Sequence, residues 1–400
     1  MYKTEYQNYI RKAKSEIDKK ESSLMIDGTI EDFMENDKIT SIWKKLMLRL
    51  ANSDKFSEIL RGRENQDYLI NSLSNAFTQI SDFRIQNKNC LLLRDKIEAI
   101  KAVCIGDTPI PLFSPNILNN YALHNSIDEK HILKPTVDTN FEPGIFQYNY
   151  EDIYMVNSSY VIVQNPNPLT GRYLTKEEIK ELRDTLLKRK SVLIVDSSLG
   201  QLFPNLIYIN EAPSIVEGVI YLINFSATGL SSDEINLVIS NELVISKIRE
   251  YISDSSTVDF KNSSPVIFRL LAEGIRSKEL ISFFNSWFKN ETQSRLQLLR
   301  DNIIENISYS YPVFIHKIDG GNSLWLYFKD LPLGDIAISN LLKSQGLIVN
   351  PASFFYPEKL KKWKHSRECI HININGCIGK ELEVVDILKN VISKCYSGKV

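Results

Sequence analysis

The sequence predicts an α/β protein, with a large domain built on a mostly parallel sheet and a smaller α+β domain after it. Three observations predict this. Short apolar runs such as Val192-Leu193-Ile194-Val195 alternate with amphipathic helical patterns through the middle of the chain. Runs without polar alternation suit strands buried on both faces, and the helices between them supply the cover. The C-terminal quarter reads strand, strand, helix, strand, helix, and a long apolar-striped helix precedes it.

Residues 2–22 read as a polar, charged helix, followed by a loop at Asp27-Gly28-Thr29. Helical patterns follow at 39–61 and 66–82; in the second, Leu69, Leu73, Phe77 and Ile80 recur on one face. Cys90 to Leu93 is a short strand and Lys96 to Cys104 a helix. Tyr160-Val161-Ile162-Val163 is a strand that ends in a Pro-rich loop. Thr175-Lys176-Glu177-Glu178 opens a helix, because threonine caps well and early acids suit the positive end of the helix dipole. Ser191 to Asp196 is a buried strand ending in an acid. Between 277 and 307, Leu280, Phe284, Trp287, Leu296, Leu299, Ile303 and Ile307 mark a stripe read as a spine between the domains. Strands near 311–316, 323–329 and 368–373 and helices near 334–344 and 380–396 complete the chain. The expected domains are a helical arm at 1–45, a large domain at 46–285 and a small one at 286–400 with some N-terminal contribution.

The chain has 400 residues, 43% hydrophobic and 24% charged, which allows a sizeable core. A net charge of −1 gives no electrostatic case for nucleic acid or an anionic membrane as partner. Cys90, Cys104, Cys369, Cys377 and Cys395 are odd in number and lack CxxC spacing, so neither a metal site nor a disulfide framework is indicated. The polar N-terminus has no apolar core of a signal peptide, and no apolar run reaches membrane-spanning length. A cytoplasmic location is expected.

Three segments fall in a telling order: Asn165-Pro166-Asn167-Pro168-Leu169-Thr170-Gly171, Val195-Asp196-Ser197-Ser198-Leu199-Gly200, and the strand-then-turn Val219 to Leu230 ending Ser226-Ala227-Thr228-Gly229-Leu230. They resemble the Asn-Pro-Thr-Gly loop, the pyridine-nitrogen aspartate and the Schiff-base lysine turn of class I/II, fold-type-I pyridoxal-phosphate (PLP) aminotransferases. His316 to Pro332, Phe354-Phe355-Tyr356-Pro357 and Trp363 to Asn373 look like the matching regions of valine–pyruvate aminotransferases. The resemblance covers roughly residues 50–397. It implies an aminotransferase-like three-layer large domain and a homodimer with sites at the interface.

The same resemblance implies a dismantled cofactor site. Ala227 stands where the family carries its lysine, and a methyl group can neither form a Schiff base nor move protons. Asp95-Lys96-Ile97 matches the phosphate-binding loop; Lys96 keeps one cation there while Asp95 opposes a dianion. Asn224 replaces a serine, Glu234 the phosphate-binding arginine, Leu60 a partner-subunit tyrosine, Ile117 the ring-stacking aromatic and Leu199 the tyrosine that donates to the phenolate oxygen. Losing three charge-assisted phosphate bonds removes on the order of 5–9 kcal/mol. His371 matches the arginine that grips the substrate carboxylate, and offers only a single, partly charged donor. Asn167 is retained if Leu169 is an insertion, whereas a gapless alignment puts Pro168 there. Asp196 is the clear survivor, although a carboxylate at a strand end can also cap the next turn.

Read this way, no cofactor is expected and no catalytic residue is intact. The chain is expected to be an inactive homologue with a binding, scaffolding or partner role, with an active enzyme or a small molecule as candidate partners. The alternatives are reassigned small-molecule chemistry of specialised metabolism involving Asp95, Lys96, Glu234 and His371, or a PLP-dependent transaminase with its lysine supplied from elsewhere, such as Lys190 or Lys247.

Overall fold

The structure, a computed structural model, describes residues 7–12, 15, 25–28, 37–62, 65–77, 84–93, 96–113, 115, 133–150, 158–197, 215–225, 235–254 and 265–398. A short strand, β1 (Ile26–Asp27), precedes three helices, α1 (Asp37–Ala51), α2 (Phe56–Arg61) and α3 (Asn65–Phe77). Then come β2 (Cys90–Leu93), α4 (Lys96–Val103), β3 (Ile110–Pro111) and a hairpin of β4 (Thr136–Glu142) and β5 (Ile145–Asn149). β6 (Tyr160–Gln164), α5 (Lys176–Leu187), β7 (Val192–Asp196), β8 (Val219–Asn224) and β9 (Asn236–Ile239) follow.

The first sheet runs β2-β9-β8-β7-β6-β3. β3, β6, β7 and β8 are parallel, and β9 is antiparallel to both its neighbours. Successive strand residues point to opposite faces, so each apolar run feeds two cores. Val161, Val163, Leu193, Val195 and Ile223 pack with α1, α3, α5 and α7 (Pro265–Arg276), the last preceded by α6 (Glu242–Asp254). Ile162, Ile194, Ile220 and Leu222 pack with α4 and α6 on the other face. Three layers result. Thr175 caps α5 as the sequence predicts: its hydroxyl accepts from Glu178 N at 3.2 Å, and Glu178 Oε2 accepts from Thr175 N at 2.8 Å.

The spine is helical throughout but not uniform. α8 (Glu279–Trp287) passes through a π-helical turn, Phe288–Gln293, into α9 (Ser294–Ile303), and a second π turn spans Ile304–Ser308. Each π turn admits one more residue per turn and re-aims the apolar stripe. Leu280 and Phe283 thus join the first core, while Leu296, Leu299, Ile303 and Ile307 join the second. The side chains of Phe284 and Trp287 lie outside the described residues.

The main elements that follow are β10 (Val313–His316), β11 (Ser323–Phe328), α10 (Asp335–Ser344), β12 (Leu347–Ile348), β13 (Asn350–Pro351), β14 (Cys369–Asn373) and α11 (Glu381–Tyr396), with short helical turns between β13 and α11. The second sheet has the order β13-β14-β11-β10-β5-β4. Its inner strands match the sequence reading, but the hairpin was not foreseen. β5 pairs in parallel with β10, Ile145 beside Ile315 and Phe146 beside His316, so residues 136–149 join the second sheet from inside the expected 46–285 domain. α1 runs through the expected boundary at residue 45, with Trp43, Leu46 and Leu50 in the first core. β1 pairs in parallel with β12.

Candidate functional site

The carboxyl ends of β6, β7 and β8 bring Gln164, Asp196 and Asn224 to one edge of the first sheet. Such edges of parallel sheets are where ligands of α/β folds bind. Asp196 is fully buried there, and Lys96, at the start of α4, meets it: Lys96 Nζ lies 2.9 Å from Asp196 Oδ2, with the two side chains 10% and 0% exposed. Gln164 Nε2 approaches the same oxygen at 3.5 Å. A lysine in the first turn of a helix opposes the helix dipole, so its ammonium gains by reaching away to a carboxylate. The sequence reading had Lys96 as a phosphate cation and Asp196 as a partner for a ring nitrogen. The structure instead pairs the two with each other. Asn224 Nδ2 donates to Asn236 Oδ1 at 2.8 Å, which turns that position toward β9.

Asn167 uses its amide to close its own loop and to hold the chain that follows β3. Its Oδ1 accepts from Leu169 N at 2.9 Å and Thr170 N at 3.1 Å, and its Nδ2 donates to Pro115 O at 3.1 Å. This is a side-chain-stabilised turn of the kind asparagine favours. The preceding Asn165–Pro166 bond is cis.

His371 lies on β14 of the second sheet, 1% exposed, with ring centroids of Trp325 and Phe355 at 6.4 and 5.9 Å. Asn350 Nδ2 donates to its Nδ1 at 3.1 Å, and the backbone of Pro168 lies beside the ring. Burial pushes its pKa down to about 3. The imidazole is therefore neutral at pH 7 and brings no charge to a carboxylate.

Ile97 is the second residue of α4 and half-buried. Ala227, Ser226, Glu234, Leu199, Ile117 and Asp95 lie outside the described residues. Phe225 N donates to Ile235 O at 3.0 Å where β8 meets β9. Leu60, on α2, is 54% exposed. Two clefts lined by described residues lie elsewhere: one of about 400 Å³ beside Arg172, His316 and Lys317, and one of about 370 Å³ beside Ser294, Arg300 and Gly320. Among the described residues no group of three His, Cys, Asp or Glu side chains is placed to hold a metal, and no helix is long and apolar enough to cross a membrane.

The fold has close relatives among solved structures. Valine-pyruvate aminotransferase from Salmonella typhimurium LT2 superposes with a TM-score of 0.77, covering 97% of this chain and 99% of that one at 21% identity. Aspartate aminotransferase from Thermotoga maritima gives 0.69 over 97% and 96% at 14% identity. This is the fold-type-I aminotransferase fold. In sequence, the chain is 25% identical over 238 residues to the valine–pyruvate aminotransferase of Escherichia coli K12. That match spans 58% of this chain and 55% of that protein, little more than half its length. No family model matches the chain.

PLP, the cofactor of the family this chain resembles, fits the described residues poorly. The carboxylate that would receive its ring nitrogen already faces an ammonium. Asn167, of the Asn-Pro-Thr-Gly-like loop, has its amide engaged with Leu169 N, Thr170 N and Pro115 O. The missing signal for the ion pair was in the sequence all the same: a lysine at a helix start and an acid at a buried strand end, both awaiting a partner.

Proposed function

We propose that this is an aminotransferase-fold protein without transaminase activity, a homologue that serves in a binding, scaffolding or partner role. The observation that supports the reading most is the Lys96–Asp196 ion pair. The Lys96 ammonium takes the place of a protonated ring nitrogen, and its side chain runs from the phosphate-loop position across to Asp196. Lysine thus fills space and satisfies charge where a cofactor would have to do both. Ala227 removes the amine by sequence, and the neutral, enclosed His371 removes the carboxylate clamp. A homodimer and a reducing, cytoplasmic setting accompany this reading; all five cysteines are free and buried.

The similarity to valine–pyruvate aminotransferases supports a second reading, in which the chain is a transaminase of that type. Reassigned small-molecule chemistry would need Asp95, Lys96, Glu234 and His371 to converge on one reacting atom. Lys96 is committed to Asp196, while His371 lies on the other sheet without charge. The Ala227→Lys variant separates the first two readings. With PLP, L-valine and pyruvate, neither the parent nor the variant is expected to turn over. Clear transamination by this variant would show that the rest of the site is intact and the proposal wrong.

A further inference from the structure

We propose that Leu169 rivets the first sheet to the second, so that the walls carrying Asp196 and His371 form one rigid body. Leu169 is the residue by which the Asn167-to-Gly171 loop departs from an Asn-Pro-Thr-Gly pattern. It is 0% exposed and belongs to a core cluster with Phe146, Trp325, Phe355 and Tyr356 of the second unit, joined from the first sheet by Ile110. A leucine on a loop is seldom fully buried unless something is built around it.

The second sheet is held on both faces. Leu324, Leu326 and Phe328 of β11 point to the core shared with α9, whereas Trp325 and Tyr327, alternating with them, point to the cluster around Leu169. A unit attached only through the α8–α9 spine could hinge about it; a second attachment on the opposite face removes that freedom. Two further links lie beside Leu169. Gly171 O accepts from both Asp319 N and Gly320 N, at 3.0 and 2.8 Å, with Gly171 in the left-handed region at φ +69°. A Cβ at that position would sit 2.5 Å from Gly320 O, so only glycine allows the approach.

The other link is Phe113 of the first core against Tyr150, just after β5, with ring centroids 4.4 Å apart. Tyr148 on β5 is the centre of a buried polar cluster. Trp325 Nε1 donates to its hydroxyl at 2.9 Å, and Tyr356 Oη and His365 Nε2 lie at 2.9 and 2.7 Å. His365 is neutral, its pKa pushed down to about 3 by burial. Tyr148 can therefore donate to Nε2 while accepting from Trp325 and Tyr356, and its hydroxyl is fully used.

The test is a spin-label distance measurement on the full chain, with labels at Glu181→Cys on α5 and Lys389→Cys on α11, both exposed. The native cysteines are buried and stay unlabelled. The labelled parent is expected to give a single narrow distance. Leu169→Ala is expected to add a second, resolved distance, and Leu169→Met, which conserves volume, to keep the single one. Leu186→Ala serves as control, because Leu186 is equally buried but packs only within the first core; it is expected to leave the distance unchanged. If Leu169→Ala does not fold, Gly171→Ala, whose Cβ would meet Gly320 O at 2.5 Å, is read in its place, with the same second distance expected. The proposal is overturned if the parent already shows two distances, or if the folded lock variant is no broader than Leu186→Ala.

Discussion

Lowering the pH from about 7.5 to about 5.0 is expected to remove the stability carried by three buried histidines, on the order of 2 kcal/mol each before opposing carboxyls are counted. His316, His365 and His371 are buried, and burial pushes their pKa values from near 6.5 to about 4, 3 and 3. A histidine depressed in the folded state binds its proton preferentially when unfolded. Its contribution is thus complete above the unfolded value near 6.5 and is lost as pH falls from there toward the folded value. Two buried carboxyls, Asp335 and Glu368, work the other way, since burial raises their pKa and acid relieves their cost. Domains typically hold only about 5–15 kcal/mol in total, so the net loss is large. Urea unfolding at the two pH values measures it. Equal midpoints with equal slopes would mean that these rings titrate as if exposed.

The second large effect concerns the ion pair. Lys96→Met is expected to cost about 3–5 kcal/mol, because it leaves a buried carboxylate without its cation. Asp196→Leu alone is expected to cost a similar amount by stranding the ammonium. The double variant Lys96→Met/Asp196→Leu is expected to recover most of both losses, since an apolar pair avoids the desolvation of two ions. Chemical unfolding of the four proteins gives the coupling directly. Additive losses in the double variant would mean that the two groups do not depend on each other.

The sequence announced elements whose signal is local. Val192–Asp196 and Ser323–Phe328 are legible as apolar runs, and Thr175 with Glu178 as a capping box. The hairpin at 136–149 is less so, because Thr136–Glu142 is polar and largely solvent-facing, and its partner β10 is distant in the chain. The π turns left no local mark, since Phe288–Gln293 reads like any other polar helix segment. At the candidate site, the sequence singled out Lys96, Asp196, Asn167 and His371 but not what each touches. The Lys96–Asp196 pair joins residues from separate elements, and Asn350 behind His371 carries no motif. Leu169 was seen as an irregularity in a loop; its burial in the second unit's aromatic core depends on packing that no local pattern encodes.

We propose that the Lys96–Asp196 pair closes this site to PLP. Titrating the wild-type protein with PLP, and following absorbance at the visible edge together with L-valine–pyruvate turnover, tests it most directly. The account predicts no protein-bound band and no turnover. A stoichiometric band accompanied by transamination would contradict it.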